Sequence, residues 1–296
     1  MIKIRQIRSI AKFFIPDKLF YRYLIPLYKF ITKTSQKKRK LLRFQVNVAD
    51  HCNLNCKGCT AFSPIAESKF IDIDSYERDC KRLSDLTGGK IELIDLLGGE
   101  PLLHPDISKI LEISRMYFKA GDINIITNGI LLNNMPQEFW YCCSTNKISI
   151  IISGYPVRLD MESLKKKAQD NNIMLTIRGN TNNKKIWNKV PVDIEGRQNI
   201  AKNFRLCFGA NFCITLDNGR LATCPIPFVI VHFNAFFGKD ILVKENDSID
   251  IYKANTIDEI LEFLCKPAPI CAYCNLNKIQ YGIDWSLSQK EISEWI

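Results

Sequence analysis

Phe44–Thr60 reads F-Q-V-N-V-A-D-H-C-N-L-N-C-K-G-C-T. Its first five residues alternate apolar and polar, the two-residue period of a strand with one buried face. Cys52, Cys56 and Cys59 follow at C-x3-C-x2-C spacing. Three thiolates do not close a tetrahedral zinc site. They do suffice for three irons of a 4Fe–4S cluster, leaving the fourth iron open to an outside ligand. The spacing leaves one alternative, a structural zinc site completed by His51 or a distant cysteine.

Outward from this stretch the chain alternates. Apolar runs at Ile91–Leu97, Ile123–Thr127, Ile148–Ile152 and Ile173–Ile177 read as strands. Ser75–Leu86, Ile107–Ala120, Gln137–Cys143 and Met161–Asn171 between them have helical character, with Asp74 or Ser75, and Asp106, as N-caps. Strands alternating with helices predict βαβ units and a parallel sheet, with chemistry at the C-terminal strand ends. Gly98–Pro101 (G-G-E-P), Asn128-Gly129, Ser153-Gly154 and Arg178 fall at such ends.

C-N-L-N-C-K-G-C after a first strand, with Gly98-Gly99-Glu100-Pro101 after the second, resembles the radical S-adenosylmethionine (radical SAM) superfamily. The likeness covers residues 44 to about 200. It implies a partial (β/α)6 TIM-like barrel over 44–205 and a 4Fe–4S cluster on Cys52, Cys56 and Cys59. It further implies that S-adenosylmethionine chelates the open iron and is cleaved by one electron, from a reductant such as flavodoxin or ferredoxin. The resulting 5′-deoxyadenosyl radical takes a hydrogen atom from substrate; the cofactors carry the hard chemistry and the protein positions them. Gly98, Gly99, Glu100 and Pro101 would line the methionine amine, and Asn128, Ser153 and Arg178 the ribose and carboxylate. One departure stands out: the residue before the third cysteine is often aromatic in this family and packs near adenine, but here it is Gly58. The adenine then needs another wall.

Twelve cysteines are many for 296 residues. Disulfide frameworks belong mostly to small secreted domains, and no signal peptide with a small-residue cleavage site is evident, so the clusters point to metal. Cys207-x11-Gly219-x4-Cys224 followed by Cys271-x2-Cys274 resembles the twitch extension of radical SAM enzymes, half of the longer SPASM extension. It implies an auxiliary 4Fe–4S cluster on Cys207, Cys224, Cys271 and Cys274 within 206–296; zinc on the same thiolates is the alternative. Ile214–Cys224 reads as a hairpin turning at Asp217-Asn218-Gly219. Cys213 competes with Cys207 as ligand at too short a spacing. By resemblance to twitch-containing epimerases acting on sugars it could give a hydrogen atom to a substrate radical, against an inert thiol. Cys80, Cys142, Cys143 and Cys265 read as buried packing residues. Trp285, Trp295 and the phenylalanines at 228, 233, 236 and 237 would line a sugar site or simply pack.

Residues 1–40 hold twelve Lys/Arg against one acid, while the remainder nearly balances at 29 to 30. An apolar helical face (Ile4, Ile7, Ala11, Phe14), broken at Pro16 and Pro26, makes 1–43 a basic amphipathic arm. It suits an anionic membrane surface or packing on the body. Nucleic acid is not expected, since no binding module continues from it. No stretch is long enough to span a bilayer. The expectation is a cytoplasmic enzyme, peripheral at the inner face of the membrane, acting by epimerisation or dehydrogenation on a membrane-associated or envelope saccharide. The alternatives are a peptide-modifying maturase and, from another class, a non-catalytic metal-stabilised membrane-surface protein.

Overall fold

The computed structural model describes residues 41–178 and 185–296, without the side chains of 185–188. The basic arm lies outside the described residues but for its last three. Among the described residues no helix is long and apolar enough to cross a membrane.

Strand β1 (Arg43–Ala49) leads to helix α1 (Ile73–Thr87), then β2 (Leu93–Gly98), α2 (Ile107–Tyr117), β3 (Asp122–Thr127), α3 (Gln137–Thr145), β4 (Ile148–Ser153), α4 (Met161–Asp170) and β5 (Leu175–Arg178). The five strands pair in parallel in chain order. The α1 N-cap is Asp72, whose side chain accepts from the Ser75 N–H at 2.9 Å, two residues ahead of the expected cap. Phe44, Val46 and Val48 on β1, Ile94 and Leu96 on β2, and Ile148, Ile150 and Ile152 on β4 form one core under α1–α3, with Tyr76, Leu83, Ile110 and Trp140. Burying each such large side chain stabilises by about 1.5–3 kcal/mol.

The opposite face of the sheet is polar. Gln45, Asp95, Asn124 and Ser149 stand side by side across β1–β4. Asn124 donates to Asp95 at 2.7 Å, as does Arg43 at 2.7 Å, so the buried carboxylate is paired. Toward the strand ends this face carries Asn47, Ser153 and Arg178, which are half-buried or exposed.

The sixth strand departs from a (β/α)6 plan. Strand β6 (Lys185–Lys189) pairs antiparallel with β10 (Gln280–Asp284) in a separate two-stranded sheet. The main sheet instead continues on the far side of β1. After α5 (Ile200–Leu206), β7 (Thr215–Asp217) joins β1 in parallel, and β8 (Arg220–Ala222) and β9 (Ile249–Asp250) complete eight strands, not closed into a barrel. The β7–β8 turn falls at Asn218 and Gly219, both with positive φ, as the sequence predicts. Asp79 on α1 accepts from the Gly219 N–H at 2.7 Å and from the Tyr252 hydroxyl at 2.7 Å, fixing this turn to the body. Helices α6 (Ile226–Phe237) and α7 (Ile257–Leu264) follow β8 and β9. A second core joins Phe204, Val229, Phe233 and Ile270 to Phe62 and Trp295.

Candidate active site

The end of β2 is pressed against the start of the cysteine loop. The Gly99 N–H donates to the Ala49 carbonyl at 2.7 Å, and the Glu100 N–H to the His51 carbonyl at 3.0 Å. A Cβ on Gly98 or Gly99 would overlap backbone atoms of Ala49 or His51, so both positions admit only glycine. Glu100 is fully buried. Its carboxylate accepts from the Leu102 N–H at 3.1 Å, the Thr127 hydroxyl at 2.6 Å and the Asn128 N–H at 2.8 Å. Burial pushes its carboxyl up to about 6, and these bonds oppose that shift. Glu100 thus acts as a buttress that joins the β2 and β3 ends beneath the loop. Pro101 opens a short 3-10 turn behind it.

Asn128 ties β3 to the same loop. Its side-chain N–H donates to Asn53 Oδ1 at 2.7 Å, with Cys52 Sγ at 3.7 Å, while its Oδ1 accepts from the Ile130 N–H at 2.9 Å. The Leu54 N–H also donates to Cys52 Sγ at 3.4 Å. Burial pushes the Cys52 thiol up to about 11 and Cys56 up to about 12; Glu100 and Cys59 raise Cys52 further, and Cys59 and Cys52 raise Cys56. Cys59 is half-buried beside them. Such thiols surrender their protons readily only to a cation, which fits the donor set to a metal group.

Two residues at this site follow from no local pattern. The Tyr155 hydroxyl, on the loop after β4, is pushed well above its ordinary value by burial and then by Cys56, Cys59, Cys52 and Glu100. Trp285 donates its indole N–H to Cys56 Sγ at 3.1 Å. Around it the C-terminal segment pairs with the loop. Lys57 donates to the Ser286 carbonyl at 2.9 Å, Ser288 to the Asn55 carbonyl at 2.9 Å, and Trp295 to the Cys59 carbonyl at 2.8 Å. The sequence reads Trp285 and Trp295 as lining a sugar site or packing, and Trp295 packs, buried against Phe62 and Phe237.

The second cysteine set converges. Burial pushes Cys224 well above its ordinary value, and Cys274, Cys207 and Cys271 add to the rise in that order. Cys274 is raised by burial, then by Cys207 and Cys271. Asn203 on α5 spans the last two ligand candidates, donating to the Cys271 carbonyl at 2.8 Å and the Cys274 carbonyl at 2.6 Å. The Gly209 N–H donates to Cys207 Sγ at 3.3 Å. The two sets communicate through one backbone run: the Val192 N–H donates to the Trp295 carbonyl at 2.7 Å, and Asp193 to the Tyr273 carbonyl at 2.8 Å.

Other expected residues lie elsewhere. Ser153 and Arg178 are paired across the β4 and β5 ends. Cys213 precedes β7, and Thr215 pairs with Gln45 near the start of β1, so Cys213 stands level with that start while the 52–59 loop follows the strand's end. His51 faces Ser68 Oγ at 3.3 Å and the Phe70 ring rather than the thiols. Cys80, Cys142 and Cys143 are buried as expected, but Cys265 is exposed, because it caps the C-terminus of α7 beyond the buried Leu264. All twelve cysteines are thiols, and among the described residues no three of His, Cys, Asp or Glu are placed to hold a single metal ion.

Residues 46–141 match the family model described as the Radical SAM superfamily. GTP 3′,8-cyclase of Clostridium botulinum is 33% identical over 100 residues, 34% of this chain and 31% of that protein. Probable GTP 3′,8-cyclase of Methanothermobacter thermautotrophicus is 36% identical over 95 residues, 32% of this chain and 30% of that protein. The chain thus spans about a third of the curated relatives it matches. Among solved structures, BtrN in complex with AdoMet and 2-DOIA aligns over 86% of this chain and 98% of its own at TM-score 0.47 and 14% identity. Streptococcus suis SuiB bound to S-adenosylmethionine aligns over 59% of this chain and 44% of its own at TM-score 0.39 and 16% identity.

Proposed function

We propose, from the premise that residues 46–141 are a radical SAM domain, that this chain is an enzyme acting on a polar substrate at the C-terminal ends of its parallel strands. A radical SAM domain uses a 4Fe–4S cluster and S-adenosylmethionine, and these supply, when bound, a one-electron cleavage that yields the hydrogen-abstracting radical. Cys52, Cys56 and Cys59 would hold the cluster. The backbone of Gly98–Pro101, held at the loop by Glu100 and Gly99, would line the amino-acid end of S-adenosylmethionine. Ser153 and Arg178 stand at the neighbouring strand ends, and Tyr155, on the loop after β4, would supply the aromatic wall that Gly58 does not.

The observation that carries this reading is the pairing of two backbone hydrogen bonds, Gly99 to Ala49 and Glu100 to His51, which lock G-G-E-P to the first turn of the cysteine loop. Cys207, Cys224, Cys271 and Cys274 would hold an auxiliary cluster. Beyond burial, Cys59 and Cys52 raise Cys56 in the first set, and Cys274, Cys207 and Cys271 raise Cys224 in the second, so each set gathers its thiols at one place. A saccharide at a membrane surface is supported by the accessible polar groups toward the strand ends, Asn47, Ser153 and Arg178, and by the charge of the basic arm.

Anaerobic reconstitution tests this reading. About eight irons per chain should fall to about four when Cys52, Cys56 and Cys59 are all changed to Ala. S-adenosylmethionine cleavage should vanish with them. Four irons falling to none would remove the auxiliary site. Iron with no cleavage would favour a metal-stabilised, non-catalytic protein. Trials with envelope saccharides and peptides would then separate the two substrate classes.

A further inference from the structure

The C-terminal segment contributes more to the cysteine loop than packing. Cys56 and Leu287 form an antiparallel bridge, flanked by the Lys57–Ser286 and Ser288–Asn55 backbone bonds. This short ladder sets Leu287 opposite Cys56 and residue 285 two places on, opposite Gly58, from where its side chain reaches back to Cys56. The Trp285 ring there has one polar atom, and it donates to Sγ at 3.1 Å. Cys56 is the most enclosed of the three thiols, and it receives the shortest side-chain bond to sulfur at the site; the Asn128 contact to Cys52 Sγ is 3.7 Å. The segment is itself held. Glu294 is buried, accepting from the Ser288 hydroxyl at 2.6 Å and the Gln289 N–H at 2.6 Å. Trp295 pins the far side of the loop through a backbone carbonyl rather than through sulfur.

Resting on the radical SAM reading above, we propose that Trp285 is a positioning residue that acts through Cys56. Its indole N–H sets the reduction potential of the group held by Cys52, Cys56 and Cys59, and its ring keeps water from the sulfur. An N–H aimed at a ligating thiolate stabilises the more negative, reduced state and raises the potential, as does any donor to a cluster sulfur. The segment that closes the auxiliary cysteine region would thereby govern how readily the first site accepts its electron. Trp295, bonded to a carbonyl, supplies the internal comparison.

The test uses the whole chain, reconstituted with iron and sulfide. Trp285→Phe keeps the ring and removes the donor; Trp295→Phe does the same where no sulfur is involved. Midpoint potentials are read by titration, following the electron paramagnetic resonance signal that S-adenosylmethionine perturbs. At unchanged iron content, Trp285→Phe should shift the midpoint to more negative values and Trp295→Phe should leave it in place. Equal midpoints for Trp285→Phe and the unaltered protein overturn the proposal. Should Trp285→Phe not take up iron, the unaltered protein labelled with 15N at tryptophan decides. A 15N coupling to the reduced site supports the bond, and its absence overturns it. No iron at Cys52, Cys56 and Cys59 in the unaltered protein would instead defeat the radical SAM reading itself.

Discussion

Trp295 donates its indole N–H to the carbonyl of Cys59 at 2.8 Å, and this bond explains why Gly58 precedes that cysteine. Gly58 has φ +63°, and a Cβ there would stand 2.9 Å from the Glu294 carbonyl. The space a side chain would need belongs to the C-terminal segment. Gly58→Ala should therefore destabilise by about 1–3 kcal/mol, the combined effect of left-handed backbone and crowding. Gly58→Phe should release the segment altogether. Thermal unfolding checks the first, and proteolytic cleavage between residues 285 and 296 checks the second. An alanine variant as stable as the original would separate Gly58 from the docking.

Glu100 predicts a pH signature. Burial raises its folded-state carboxyl from an ordinary 4.5 to about 6. Below the ordinary value the carboxyl is protonated in both folded and unfolded chains, and its contribution is fully present. That contribution is lost as pH rises through about 6, a decline of roughly 2 kcal/mol for a shift of about 1.5 units. Glu100→Gln cannot ionise, so its stability should be flat across this window, offset by about 1–3 kcal/mol because an amide N–H then opposes the Asn128 N–H. Denaturant unfolding of the metal-free chain between pH 4.5 and 7 measures both slopes. Parallel slopes for the two proteins would mean that another group titrates.

The parts of the site legible in the sequence were those fixed by local spacing. Val46 and Val48 alternate with Gln45 and Asn47, so β1 and its buried face could be read directly, and the loop that follows inherits its place. Gly98 and Gly99 sit at a strand end and signal close approach before any partner is known. The Ile214–Cys224 hairpin is likewise marked by its turn at Asp217-Asn218-Gly219. Contacts between distant segments left no such mark. Trp285 reaches Cys56 through a ladder of backbone bonds that no side-chain pattern encodes, and β6 leaves the sheet because β10, from the far end of the chain, pairs with it. Asn128 sits where the resemblance implies a ribose or carboxylate contact, and its tie to Asn53 on the cysteine loop is one that the strand-end position alone does not signal. Cys265 was expected to be buried because Thr256–Leu264 is apolar, but it falls one residue beyond the amphipathic helix.

Tyr155 predicts an aromatic contact for S-adenosylmethionine. On the loop after β4, its hydroxyl is raised first by burial and then by the three thiols and Glu100, which sets it near the cysteine loop. Tyr155→Ala should weaken S-adenosylmethionine binding by about tenfold, the loss of one stacking contact of about 1–1.5 kcal/mol. Tyr155→Phe keeps the ring and should bind within about twofold of the original. Calorimetric titration of the reconstituted enzyme distinguishes them. An equal loss in both variants would shift the role from ring to hydroxyl, and no loss in either would remove Tyr155 from the site.

The place of Cys213 predicts that its thiol is dispensable for both radical formation and its outcome. Its N–H donates to the Gly209 carbonyl at 2.8 Å, and its carbonyl accepts from the Thr215 hydroxyl at 3.0 Å, so the backbone there is fixed independently of the thiol. Cys213→Ala should therefore fold and keep the iron content of the original. It stands at the level where β1 begins, apart from the loop that follows the end of β1, so S-adenosylmethionine cleavage should proceed at an unchanged rate. Deuterium from solvent then reports on the thiol. A hydrogen donor exchanges its S–H with water, but Cys213 stands at the opposite end of β1 from the 52–59 loop, so Cys213→Ala should form product at the original rate and with the original solvent deuterium. Loss of product and label while 5′-deoxyadenosine still accumulates would make Cys213 the donor and overturn this placement. Reduced cleavage would instead show that the turn acts on the first site through β1, which it joins by the Gln45 N–H to the Ile214 carbonyl at 2.7 Å.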